Sequence, residues 1–208
     1  MSYCYDVFVS YRRYSLWPKW VREHFMEFFK HWLTESMAAE SMTQEPKIFI
    51  DENIAEGHSW PHELAHALGR SKVLVALWTP TYFNSQWCTS ELAHMYAREQ
   101  RCGYRTVEHP HGLIIPALLQ NGENFPLKAR SIQMKDLQGC ANVWLAPDSP
   151  KKEELSQRIR EWTPQIVQAI RHAPDFDPMW QNLAFDSFLN LFTGIPPEQK
   201  ILLGLGDA

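Results

Sequence analysis

The chain has 208 residues, enough for one domain with its own core and a further segment. Hydrophobic residues at 45% and aromatics at 13% exclude a disordered chain, and a net charge of −4 excludes bulk electrostatic capture of nucleic acid. Four scattered cysteines without a C-x-x-C pair fit a reducing compartment, the first residues lack a signal peptide's cationic start and apolar run, and no apolar stretch reaches the roughly 18 residues of a membrane span, so a cytoplasmic location is expected.

"YDVFVSY" (5–11) is β-branched, aromatic and mostly apolar, and reads as a buried strand. Residues from Trp17 to about Met37 carry helical spacing, with Trp20, Phe25, Phe28, Phe29 and Trp32 as bulky members. "KIFID" (47–51) is a second strand, followed by a loop, "ENIAEGHSW" (52–60). "PHELAHALGR" reads as a helix with Pro61 in its first turn and Gly69 near its end. "KVLVALW" (72–78) is almost continuously apolar, as a central parallel strand is. Then come a loop, "TPTYFNSQW" (79–87), and a helix, "CTSELAHMYAREQR" (88–101).

"GLIIPALL" (112–119) is a fourth strand that Pro116 is expected to end or bulge. A short fifth lies near Ile132 to Leu137. Residues 150–173 are helical, with a kink expected at Pro164. From 174 to 208 prolines flank an apolar, aromatic helix, a C-terminal extension that either packs back on the domain or serves as a partner-binding tail. Strands alternating with helices imply an α/β fold, a parallel sheet covered on both faces, in which ligands bind at the carboxyl ends of the strands. That rule gathers Ser10 to Arg13, Asp51 to Trp60 and Thr79 to Trp87.

Within the third helical segment, His62-Glu63-Leu64-Ala65-His66 spells H-E-x-x-H, a zinc hydrolase pattern. At 3.6 residues per turn, however, Pro61, Leu64, Ala65 and Leu68 form the apolar stripe, which turns His62 and His66 toward solvent. A third ligand is also needed, and His94, His109 and His111 stand at no diagnostic spacing. The reading is a solvated helix face, with no metal.

The order and spacing of these words resemble a TIR (Toll/interleukin-1 receptor) domain of the kind found in bacterial anti-phage immunity. "YDVFVSYRR" is similar to its first box. "IFIDENIAEGHSWPHELAHALGRSKVLVALWTPTYFNSQWCTSEL" is similar to the run from its second strand through the BB loop to its catalytic helix. "GYRTVEHPHGLIIPALLQNGENFP" departs from the pattern, with no clear third box. The resemblance implies a flavodoxin-like, doubly wound, five-stranded sheet over residues 1–173.

It also implies cleavage of NAD+ at the nicotinamide–ribose bond, with NAD+ as substrate and no cofactor. The product is ADP-ribose or a cyclised isomer, which either depletes NAD+ or signals to a separate effector. Activation is by self-assembly through TIR–TIR contacts, with a separate trigger protein as a further partner. The family's W-x-x-x-E falls on "WCTSE", which carries the catalytic role to Glu91 with Trp87 one turn before it. A carboxylate at a helix start is favoured by the macrodipole. One carboxylate suffices because nicotinamide leaves neutral from a cationic substrate and needs no protonation, unlike most glycosidic leaving groups.

Substrate contacts are expected from Ser10 and Tyr11, from Arg12 and Arg13 as forked donors to the pyrophosphate, and from Asp51 at the end of the second strand. Trp60 is expected to wall the pocket, and Tyr82, Phe83 and Trp87 to stack on a ring. The alternative is a non-catalytic interaction or adaptor module working through TIR–TIR contacts, for which the Trp87–Glu91 pair is not needed. Nucleoside deoxyribosyltransferases share a similar fold and a glutamate but fit this loop order less well.

Overall fold

The computed structural model describes residues 2–50, 60–146 and 148–184. Five strands, β1 (Tyr5–Tyr11), β2 (Ile48–Ile50), β3 (Ser71–Trp78), β4 (Ile114–Leu118) and β5 (Lys135–Asp136), form one sheet in the order β2-β1-β3-β4-β5, every pair parallel. This is the doubly wound order, with its switch point between β1 and β3. The helices are α1 (Trp17–Trp20), α2 (Met26–Ala39), α3 (Trp60–Gly69), α4 (Pro80–Phe83), α5 (Gln86–Arg101), α6 (Leu127–Arg130) and α7 (Pro150–Arg171). Right-handed crossovers put α2 and α7 on one face, where they pack together, and α3, α5 and α6 on the other.

The first helical stretch carries its bulk at 20, 25, 29, 33 and 37, all buried. The step from Trp20 to Phe25 is one residue too long for an α-helical face. A π turn over Val21–Phe25 absorbs that residue. Trp20, Phe25 and Phe29 then stack in series, with centroids 5.8 and 4.9 Å apart, and Phe29 reaches Trp162 of α7 at 6.4 Å.

Both prolines sit inside their elements. Pro116 neither ends nor bulges β4: it holds its register opposite Ala76. Alternate residues of β4 bond to opposite neighbours, and the bonds from the Leu74 and Leu119 amides to the Leu113 and Trp78 carbonyls assign odd positions to β3. The missing N–H of Pro116 therefore faces the β5 side, where β5 pairs only with Ala117 and Leu118. In α7, Pro164 deprives the Arg160 carbonyl of its usual donor, and the Thr163 hydroxyl replaces it at 3.2 Å.

One boundary differs from expectation. The segment 79–87 is not all loop: Thr79 caps α4 and Ser85 caps α5, so α5 begins at Gln86. After α7 the chain packs back on the domain as far as it is described. The Tyr3 hydroxyl donates to the Pro174 carbonyl at 3.0 Å, Trp180 and Ala184 are buried, and a Cβ on Gly69 would stand 2.8 Å from the Gln181 Cα.

Candidate active site

The amino-terminal face of α5 meets the end of β1 in three steps. Ser85, Cys88 and Glu91 recur every three residues and so share one helix face. Arg12 donates to the Ser85 Oγ at 2.9 Å, the Cys88 thiol to the Tyr11 carbonyl at 3.6 Å, and the Ser10 hydroxyl to Glu91 Oε2. Three successive residues of β1 and its exit are thus stitched to three positions along the first two turns of α5. The junction lies at the carboxyl ends of β1 and β3, the switch point of the sheet.

Behind Ser10 stands Tyr82, its hydroxyl 2.8 Å from the Ser10 Oγ. Ser10 spends its single proton on Glu91, so Tyr82 is the donor of that pair. The chain of donors runs from Tyr82 through Ser10 to the carboxylate. Burial holds the Tyr82 proton on, raising its pKa well above the usual phenol, with Cys88 and Glu91 adding to the effect. Glu91 is itself only 5% exposed.

The expected residues divide. Ser10, Tyr11, Arg12 and Glu91 come together here; Trp87 is half-buried one turn before Glu91 on α5, and Arg13 is exposed next to Arg12 in the chain. Tyr82 belongs to the junction, but as a hydrogen-bond donor: its ring is fully buried and offers no face for a ligand to stack on, which corrects that expectation. Phe83 is corrected too. Its ring packs 5.3 Å from Trp78 and 4.9 Å from Phe125, on the wall of a cavity of about 440 Å³ between α5 and α6 that Glu91 does not line. The macrodipole does little for Glu91, which stands six residues past the cap Ser85, because the dipole acts over the first turn. The Ser10 hydroxyl supplies the stabilising contact instead. Asp51 lies outside the described residues, and Trp60 is placed only as the first residue of α3.

His62 and His66 are exposed while Leu64, Ala65 and Leu68 are buried, the arrangement the helical wheel predicts. His94 is fully buried, and His109 and His111 are exposed. Among the described residues no three ligand-type side chains gather around one point. Nor is any described helix long and apolar enough to cross a membrane.

A five-stranded α/β domain with a glutamate-bearing helix at its switch point defines a class of ligand-binding fold. Within that class the assignment is specific: the TIR domain family pattern matches residues 7–143, and the chain belongs to that family. It is 31% identical over 185 residues to a putative disease resistance protein of Arabidopsis thaliana, covering 88% of this chain and 14% of that protein. It is 27% identical over 85 residues to SUPPRESSOR OF npr1-1, CONSTITUTIVE 1 of the same plant, covering 41% of this chain and 6% of that protein. The chain thus spans a small part of either relative. A solved structure, the TIR domains of the activated Roq1 resistosome that recognizes the pathogen effector XopQ, aligns over 90% of this chain and 99% of that one, at 17% identity and a TM-score of 0.37.

Proposed function

We propose that the chain is an NAD+ glycohydrolase, with Glu91 as the group that acts on the ribose. The observation that carries this reading is the donor chain from Tyr82 through Ser10 to Glu91 at the switch point. A fixed carboxylate at that place suits the reaction. As the bond from ribose to nicotinamide breaks, positive charge grows on the ribose, and a negative charge held ready nearby stabilises it without reorganisation. Ser10 fixes the carboxylate's direction. Trp87, one turn before Glu91, offers a half-buried ring against the departing nicotinamide, and the guanidinium of Arg12, anchored on Ser85, faces the pyrophosphate.

Near-complete burial of Glu91 also fits a latent monomer. Substrate reaches the carboxylate only after the cover shifts, and contacts between copies of the chain supply the energy for that shift. The setting is immune defence, in line with the disease resistance named for the Arabidopsis relative. A bacterial anti-phage system is one form of it, although both relatives above are plant proteins. A cytoplasmic location follows from the substrate.

The test is nicotinamide release from NAD+ by the purified chain, dilute and crowded, resolved by HPLC and mass spectrometry beside Glu91→Gln. Release that rises with crowding and disappears in the variant supports the reading. Equal release by the variant, or none under crowding, sinks it and favours the adaptor module.

A further inference from the structure

Granting that Glu91 cleaves NAD+, the geometry points to a second half of the same site: a cleft beyond the carboxyl ends of β4 and β5 seats the adenosine end of the dinucleotide, so that water rather than adenine captures the ribosyl cation. The cleft measures about 450 Å³ and is lined by Trp17, Gln120, Gln138, Asn142 and Trp144 among others. Its walls come from the segments that follow β1, β4 and β5, so it belongs to the crevice where such sheets bind ligands. Glu91 stands at β1 and β3; at about 4.8 Å per strand, the cleft is about 10 Å farther along the sheet. The chain that leads from one to the other carries Arg12 and Arg13, between Tyr11 of the first site and Ser15 of the second. Ribose, pyrophosphate and adenosine occur in that order in the substrate.

The cleft has the chemistry of a base site. A single exposed aromatic ring is ordinary on a protein surface and proves nothing alone. Trp144, 72% exposed, is held in place, however. Its amide donates to Asn142 Oδ1 at 2.9 Å, the preceding Val143 carbonyl meets His24 at 3.0 Å, and the Lys19 ammonium lies 4.8 Å from its ring centroid. Gln138 Oε1 accepts the Asn121 amide at 3.1 Å. With their oxygens committed, Gln138 and Asn142 present N–H donors, and purine ring nitrogens are acceptors. An indole platform with amide donors beside it suits a purine.

Placement decides the product. The C–N bond breaks and its electron pair leaves with nicotinamide. Cyclisation requires an adenine nitrogen at bonding distance from the ribosyl carbon, and a base seated about 10 Å away does not reach it. Water bonds to that carbon and releases a proton, giving nicotinamide, ADP-ribose and a proton.

AMP is titrated into the full chain, with the Trp144 indole N–H followed by NMR and assigned through Trp144→Phe. A saturable shift is expected in the wild type and in Glu91→Gln, with affinity for AMP reduced about tenfold in Trp144→Ala. With NAD+, Trp144→Ala raises KM about tenfold and alters kcat by less than about twofold, whereas KM for nicotinamide mononucleotide, which lacks the adenylate, moves less than about twofold. The wild type makes ADP-ribose in excess over any cyclised isomer. An indole that AMP leaves unmoved, an equal rise of KM for both substrates, or a mainly cyclised product overturns the assignment. AMP binding without nicotinamide release upholds the cleft and overturns the role given to Glu91 and the product with it.

Discussion

α5 buries Glu91 in its amino-terminal half and, about two turns on, Arg98 with its neighbour Glu99, which Arg105 pairs. Glu91, at the amino-terminal end, takes the Ser10 hydroxyl with Tyr82 behind it, at the carboxyl edge of the sheet. Arg98, toward the other end, is fully buried. It donates to the Ser71 carbonyl and the Tyr3 hydroxyl, each at 2.8 Å, and the rings of Tyr3 and Trp180 lie 5.6 and 5.1 Å from its guanidinium carbon. The partners of Arg98 come from the amino-terminal segment, the start of β3 and the segment after α7, and the cation ties the three together. The partners of Glu91 come from the strand ends where ligands bind. Burial of a charge therefore does not by itself mark a site. Its place relative to the strand ends, and what its partners leave for a ligand, do.

The sharpest break of this comparison is a pair of substitutions. Glu91→Ala is expected to lower nicotinamide release at least about 100-fold, the effect of losing one preorganised charge, while the melting temperature holds or rises. Arg98→Met is expected to do the reverse. It leaves the Ser71 carbonyl and the Tyr3 hydroxyl without their partner and costs about 2–3 kcal/mol, read from the denaturant midpoint. Turnover per folded molecule then changes by less than about twofold, as for a residue outside the chemistry. Loss of turnover in a folded Arg98→Met chain would erase the distinction between the two ends.

A finer test grades the donor chain. Ser10→Ala removes the group that directs Glu91 and is expected to lower kcat about tenfold, with KM little changed. Tyr82→Phe acts one step further back and costs less. It has a second signature that a purely positional role lacks. The Tyr82 phenol holds its proton well above the ordinary range through burial, and Tyr104, also desolvated, is pushed up to about 12. Above the unfolded value near 10, the folded chain keeps protons that the unfolded chain loses. Stability is thus whole below about pH 10 and falls as pH rises beyond it. Tyr82→Phe should flatten that alkaline limb in melting curves taken between about pH 9 and 12, and an unchanged limb would show that Tyr82 does not contribute to it.

Much of this arrangement is legible in the chain itself. Apolar runs give the buried strands, the W-x-x-x-E spacing puts Trp87 and Glu91 on one helix, and the strand-end rule gathers Ser10 to Arg13 with the turn after β3. The partition of the aromatics is not legible. Tyr82 and Phe83 are neighbours in one short helical turn, and which ring goes to the junction and which to the cavity behind α5 depends on how α4 is capped. Thr79 and Ser85 signal both caps, which start α5 at Gln86 and leave Glu91 beyond the first turn. Pro116 looks like a strand breaker because composition carries no direction: its missing donor matters only on the side where a full neighbour strand runs. Arg98 looks like one more surface charge in a polar helix, since its cage is assembled from residues 3, 71 and 180, which lie far apart in sequence.

Histidines give the smallest effects and the last contrast. His94 is buried on α5, and burial first, then the neighbouring Arg98, lowers its pKa well below the ordinary value. Below about pH 6.5 the unfolded chain takes up a proton there that the folded chain refuses, so stability falls as pH drops through that range. His94→Gln should make the acid limb shallower between about pH 6.5 and 4.5. His62 and His66 look more like chemistry on paper, yet both are exposed on the outer face of α3. Replacing both with Ala should change stability by less than about 0.5 kcal/mol, as surface substitutions do. Nicotinamide release should be equal with and without EDTA in the wild type and the double variant. Inhibition by EDTA that the double variant no longer shows would return the H-E-x-x-H pattern to the chemistry, and with it a site on a face where the sheet's own geometry puts none.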